Sequence, residues 1–128
     1  HIPAKSFVKE TLIRLKDSGN SLNVLTASPH TMLDVCLKRL EMYDLFDNVW
    51  SCDDFGLTKD NFEIYLNAAR RLNTSVKECC FIDDNINAIS AAKKAGMTAI
   101  GIYDQSSNTL VDRMKKISDR YIYDFREL

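Results

Sequence analysis

The chain has 128 residues, 45% of them hydrophobic and 27% charged, which is the size and balance of one globular domain with one core. A net charge of −1 removes the electrostatic case for binding nucleic acid or an anionic membrane surface. No apolar run approaches the ~20 residues of a membrane-spanning helix, and the opening His1-Ile2-Pro3-Ala4-Lys5 has no signal-peptide pattern.

The opening also lacks an initiator Met, as a fragment or a processed product would. Val8, Thr11, Leu12 and Leu15 recur at helical spacing and predict an amphipathic helix over 5–17, ended by Ser18-Gly19-Asn20. Leu22 to Thr26 reads as a short strand. Ser28-Pro29 reads as an N-cap followed by proline at the first helical position. Leu33, Cys36, Leu37 and Leu40 form the buried stripe of that helix, and Asn48 to Ser51 the next strand. Asp53 to Lys59 is a polar loop, and Phe62, Tyr65, Leu66, Ala69 and Leu72 predict another helix.

Cys79 to Ile82 is an apolar strand running into Asp83. Ala88, Ala91, Ala92 and Ala95 give the following helix a small-residue face suited to close packing on a sheet, with Gly96 as its C-cap. Thr98 to Tyr103 is a strand, Leu110, Met114 and Ile117 mark a last helix, and Tyr121-Ile122-Tyr123 a last strand. Alternating strands and helices with continuous apolar strands predict an α/β fold with a mostly parallel sheet. Cys36, Cys52, Cys79 and Cys80 match no zinc spacing and are expected to be small buried hydrophobes in a reducing cytosol. A cytoplasmic location follows as an expectation.

In open α/β sheets ligands bind beyond the carboxyl ends of the strands. Thr26 ends one strand, Asp83-Asp84 ends another, and Lys59 opens a helix after a loop, so all are expected on one sheet edge. Adjacent carboxylates suit Mg²⁺, a hard cation held by one or two carboxylates with waters and phosphate oxygens. The plainer reading is an Asp N-cap for a helix beginning near Ile86. The Thr26 hydroxyl and the N–H groups after it, at Ala27 and Ser28, suit an anion at a helix start; otherwise Thr26 merely ends a strand. Lys59 offers a point charge to phosphate; otherwise it is a solvated lysine near a helix N-terminus, where the dipole disfavours it. Asp53-Asp54 lies in a loop and is taken as uninvolved. His30 is read as a solvated residue near the site mouth. Trp50, Tyr121 and Tyr123 are expected in or beside the core, and Lys93-Lys94 on a solvated face.

Leu25-Thr26-Ala27-Ser28-Pro29, Lys59 to Tyr65, Phe81-Ile82-Asp83-Asp84-Asn85 and Ala91 to Met97, in that order, resemble the haloacid dehalogenase-like hydrolase superfamily, in its phosphoglycolate-phosphatase-like and β-phosphoglucomutase-like branch. The resemblance runs from Ile2-Pro3 to Glu127-Leu128. It implies a three-layer Rossmann-like fold, with residues 1–128 as the C-terminal portion of one core domain. It further implies that Thr26, with Ala27 beside it, binds the phosphoryl group. Lys59 pairs with phosphate and with an aspartate nucleophile. Asp84 and the preceding Asp83 are the Mg²⁺ ligands. Ala88 stands where some members carry a further Asp, and Asp60 where proline is common.

The resemblance fails at one place: no Asp-x-Asp occurs in the chain, and that motif carries the family's nucleophile and general acid/base on the first central strand. The chain begins near where a family member returns from its cap. Covalent phosphoryl transfer needs that nucleophile in line with phosphorus, so residues 1–128 alone are expected to be inactive. The expected function is therefore the core of a Mg²⁺-dependent phosphatase. It would act on a small phosphorylated metabolite through an aspartyl-phosphate, with the nucleophile in a missing N-terminal segment. The alternative is a non-catalytic module that binds metal or phosphate without turnover. A phospho-receiver domain fits less well, because receivers place the acid pair on the first strand. The absent strand would lie between those ending at Thr26 and Asp83, leaving backbone groups unpaired. Isolated residues 1–128 are accordingly expected to be unstable or aggregation-prone; a cooperative, monomeric thermal melt would mean that the sheet closes without the missing strand.

Overall fold

The computed structural model describes residues 8–128. The first three positions of the helix predicted over 5–17, and Ile2-Pro3, lie outside them. By contact the chain divides into two compact units, the first closing at Gly56 and taking in Leu128, the second spanning Leu57–Glu127.

In the first unit, α1 (Val8–Asp17) buries Thr11 from its apolar stripe. Asn20 N–H closes it on the Leu15 carbonyl at 3.2 Å. β1 (Asn23–Thr26) and β2 (Asn48–Ser51) pair in parallel, with Asn23 opposite Asn48 and Thr26 opposite Ser51. The Asn48 amide donates to Asn23 Oδ1 at 2.9 Å, so the first rung is bonded through side chains as well as backbone. Between the strands, α2 (His30–Arg39) buries Leu37. Leu22, Met42, Ser51 and Cys52 are the other buried residues among those described in this unit.

The second unit begins its regular structure with α3 (Glu63–Arg71). β3 (Cys80–Asp83), β4 (Thr98–Ile102) and β5 (Arg120–Ile122) form a parallel sheet in the order β3-β4-β5. α4 (Ile86–Ala95) and α5 (Val111–Ile117) supply the crossovers. β4 is central, and Ala99 to Ile102 are all buried, as expected of a strand covered on both faces. α4 lays Ala88, Ala91, Ala92 and Ala95 on β3 and β4, and their small side chains allow the close approach. Ile64, Tyr65, Ile89, Met114 and Ile122 are fully buried, so the larger core lies here.

The α/β, Rossmann-like class and the parallel pairing agree with the sequence. The strands form two sheets rather than one continuous sheet: β1 has a single ladder partner, β2, and β3 a single partner, β4. Each therefore keeps one edge without a neighbouring strand among the described residues.

Local chemistry moved several boundaries. Pro29 is extended (φ −68°, ψ 156°) and lies just outside α2, which starts at His30. Ser28 is not the cap; the Pro29 carbonyl accepts the Met32 and Leu33 N–H groups, each at 3.0 Å. The cysteines are not uniformly buried. Cys52 is; Cys36 and Cys80 are exposed, and Cys79 is intermediate. Cys36 shares the outer side of α2 with Met32 and Val35, which are 66% and 55% exposed, because Leu37 takes the inward position. Partial desolvation still pushes both the Cys79 and Cys80 thiols up, as expected of unreactive cysteines. Tyr123 is exposed rather than packed in the core, and Lys93 is paired with Asp119.

Gly96 ends α4 at φ +103°, with its N–H on the Lys93 carbonyl and the next N–H, Met97, on Ala92. A Cβ there would sit 3.2 Å from Val76 Cγ2. Gly96→Ala should therefore cost about 1–2 kcal/mol of stability, read by urea denaturation.

Candidate functional site

The centre of the second unit's polar edge is Asp83, the last residue of β3. Its Oδ1 accepts the Asp84 N–H at 2.7 Å and the Asn85 N–H at 3.2 Å. Its Oδ2 receives the Lys59 ammonium in an ion pair. The pair is largely withdrawn from water, with the side chains 23% and 10% exposed for Lys59 and Asp83. Removing either partner would strand a partly buried charge, so the two residues hold each other in place.

Lys59 does not open a helix as the sequence suggested. It lies in a turn four residues before α3, because the chain first makes a turn in which Asn61 Oδ1 accepts the Glu63 N–H at 3.0 Å. The helix-dipole argument against a lysine there consequently lapses. Tyr65, buried on α3, donates its hydroxyl to the Lys59 carbonyl at 2.6 Å. Its ring meets Phe81 of β3 edge-on, centroids 4.8 Å apart. The lysine's backbone is thus tied to α3 and its head to β3.

Asp84 is half-buried and follows directly. The Asp-cap explanation of this acid pair does not hold: the cap of α4 is Asn85, whose Oδ1 accepts the Asn87 and Ala88 N–H groups at 2.9 and 3.0 Å. Both carboxylates stand directly before the N-terminus of α4. Among the described residues no group of three or more His, Cys, Asp or Glu side chains is placed to hold a metal ion.

In the first unit, Thr26 is the last residue of β1, and its Oγ1 accepts the Ser28 N–H at 3.2 Å. That leaves the hydroxyl proton available to an acceptor. Ala27, Ser28 and Pro29 are exposed. His30 is not simply solvated. Nδ1 lies 3.0 Å from Asp34 Oδ1 and Nε2 lies 2.6 Å from Asp54 Oδ2. Hydrogen bonding to Asp34, then to Asp54, holds its pKa above the ordinary 6.5. Asp54 also caps the 3₁₀ turn after β2, accepting the Ser51 N–H at 2.9 Å. The His30–Asp34 half was legible as an i,i+4 pair on a helix. The Asp54 half was not, since 24 residues separate it from His30.

Of the residues singled out from sequence, Lys59 and Asp83 are in contact, with Asp84 adjacent, in the second unit. Thr26 and Ala27 belong to the first unit, at the carboxyl end of β1.

The family model described as "haloacid dehalogenase-like hydrolase" matches residues 2–96. The phosphoglycolate phosphatase of Salmonella paratyphi A is 34% identical over 95 residues, 74% of this chain and 38% of that protein. The (S)-2-haloacid dehalogenase 4A of Burkholderia cepacia is 31% identical over 98 residues, 77% of this chain and 42% of that one. Among solved structures, a HAD phosphatase from Thermococcus onnurineus superposes with a TM-score of 0.81 at 27% identity, over 97% of this chain and 55% of its own. The chain spans half or less of the length of the curated relatives it matches.

Lys59→Ala would leave the Asp83 carboxylate without its cation. Stability should fall by about 1–3 kcal/mol in urea denaturation, and Asp83→Asn in the same background should recover part of the loss.

Proposed function

This chain belongs to the haloacid dehalogenase-like hydrolases, and from that premise we propose that it is the C-terminal portion of the core of a cytoplasmic phosphatase acting on a small phosphorylated metabolite. The observation that carries the reading is the Lys59–Asp83 pair at the carboxyl end of β3, with Asp84 beside it. No nucleic acid or membrane partner enters. The near-neutral charge gives no electrostatic reason for either.

Lys59 brings its ammonium to the transferring phosphoryl oxygens and to the attacking carboxylate. Asp83 keeps that ammonium aimed when phosphate is absent. Thr26 donates its hydroxyl proton to a phosphoryl oxygen, and the Ala27 N–H adds a second donor. The nucleophile is an aspartate of an Asp-x-Asp motif outside these residues. It forms an aspartyl-phosphate as the P–O bond to the leaving group breaks, and water then releases phosphate.

The donor chemistry at the end of β3 fits Mg²⁺. Two carboxylates are present and, among the described residues, no His or Cys joins them, which suits an ion that fills its remaining positions with water and phosphate oxygens. Asp84 would hold it, with Asp83 sharing its charge between the ion and Lys59. When bound, the ion supplies positive charge against the nucleophile and phosphate oxygens.

The dehalogenase relative makes carbon–halogen hydrolysis the competing chemistry. The test is the full-length gene product, assayed for phosphate release from a panel of sugar and small-acid phosphates and for halide release from a 2-halo acid. Phosphate release that requires Mg²⁺ is expected. Asp84→Ala should abolish it together with Mg²⁺ binding in a titration, and Lys59→Ala should weaken binding of vanadate or tungstate. Halide release alone, or unchanged Mg²⁺ affinity in Asp84→Ala, would overturn the phosphatase or the metal assignment respectively. A full-length product without Asp-x-Asp that binds Mg²⁺ but turns nothing over would be a non-catalytic binding module.

A further inference from the structure

The first unit holds a charged cluster that the phosphatase reading does not use. His30 is the first residue of α2, directly after Pro29. Its two ring nitrogens face two carboxylates, Asp34 on the next turn of the same helix and Asp54 in the 3₁₀ turn leaving β2. Neutral imidazole has one N–H and one lone pair, and an ionised carboxylate only accepts. Only imidazolium offers a donor to both. A cation at a helix N-terminus works against the dipole, so the two carboxylates must more than offset that repulsion.

The bridge has a defined mechanical position. β1 and β2 are in register to their ends, Thr26 opposite Ser51, so the turns leaving them start side by side. The Thr26–Pro29 turn is held at one end by the Ser28 N–H on Thr26 Oγ1. His30 holds the other end through Asp54, which is itself fixed by the Ser51 N–H.

We propose that His30 is a positioning residue: as an imidazolium bridging Asp34 and Asp54, it ties the Thr26–Pro29 turn to the turn after β2 and thereby sets that turn's affinity for an anion. The proposal rests on the assignment of phosphate binding to Thr26 and Ala27.

The charged surroundings are few. Asp53 is exposed beside Asp54, and Lys38 and Arg39 sit in the last turn of α2. Of the elements packed on α2, β2 carries no titratable side chain. The 3₁₀ turn at 43–45 carries exposed Asp44 and also Tyr43, whose ring lies under Lys38 Nζ at 4.9 Å. The folded-state pKa of His30 lies above its ordinary 6.5. The bridge is therefore complete below 6.5 and is lost as pH rises through that higher value.

Sulfate is the probe, because its charge is constant around neutral pH. The full-length protein is titrated with sulfate by calorimetry across this window while the His30 ring is followed by NMR. The ring should titrate above 6.5, and sulfate affinity should fall roughly fivefold through the same transition. In Asp34→Asn both transitions should move down together, and Asp34→Glu should restore them; Asp54→Asn serves in the same way if Asp34→Asn does not fold. A wild-type ring titrating at or below 6.5 would overturn the bridge. A raised ring with flat sulfate affinity would overturn the positioning role. Absence of sulfate binding at every pH would overturn the phosphate assignment instead, and with it the positioning role.

Discussion

The ion pair between Lys59 and Asp83 organises the second unit's polar edge. Each charge is withdrawn from water far enough that it depends on the other. Because Asp83 spends one oxygen on Lys59, its other oxygen is left to gather the Asp84 and Asn85 N–H groups. That fold of the chain presents Asn85 as the cap of α4. A well-started α4 then lays its alanine face on β3 and β4. One electrostatic contact thus connects a turn before α3, the end of a strand, the start of a helix and the packing of that helix on the sheet.

The first unit solves a similar problem with different parts. Its polar edge also sits where parallel strands end, with Thr26 opposite Ser51. Here the turns are held by a histidine between two acids and by a hydroxyl accepting a backbone N–H. In both units a side chain at a strand end ties together backbone that regular secondary structure leaves unpaired. Such ends are where an α/β sheet can present donors and charges to a ligand without disturbing its core.

Much of the secondary structure was legible because periodicity and turn residues agreed. β2 falls on the predicted residues, and the strand ending in Asp83 and the alanine helix ending at Gly96 follow closely. The misplacements have local causes. The fixed φ of Pro29 suits a first helical position, but its extended ψ leaves it outside α2. The apolar stripe of α3 begins close to Lys59 and suggests a helix there, whereas the side chain of Asn61 delays the helix to Glu63. Periodicity puts Cys36 in a buried stripe, but α2 is rotated so that Leu37 alone is buried. Asp54 has no signal in the sequence beyond its loop, yet it is an acceptor for both Ser51 and His30.

The order of short motifs, Thr26 to Pro29, then Lys59, then Asp83-Asp84, then the alanine helix, was enough to identify the family and the parallel α/β class. Those properties depend on residue type and spacing along the chain, which folding does not alter. Which acid meets which base depends on folding, because those partners lie far apart in sequence. That Lys59 meets Asp83 rather than water, and that Asp54 joins Asp34 on the ring of His30, are outcomes of tertiary packing, whereas the Asn85 cap of α4 is a local contact with the next turn. Burial and distance decide the strength of a charge pair, and neither is a property of the linear sequence.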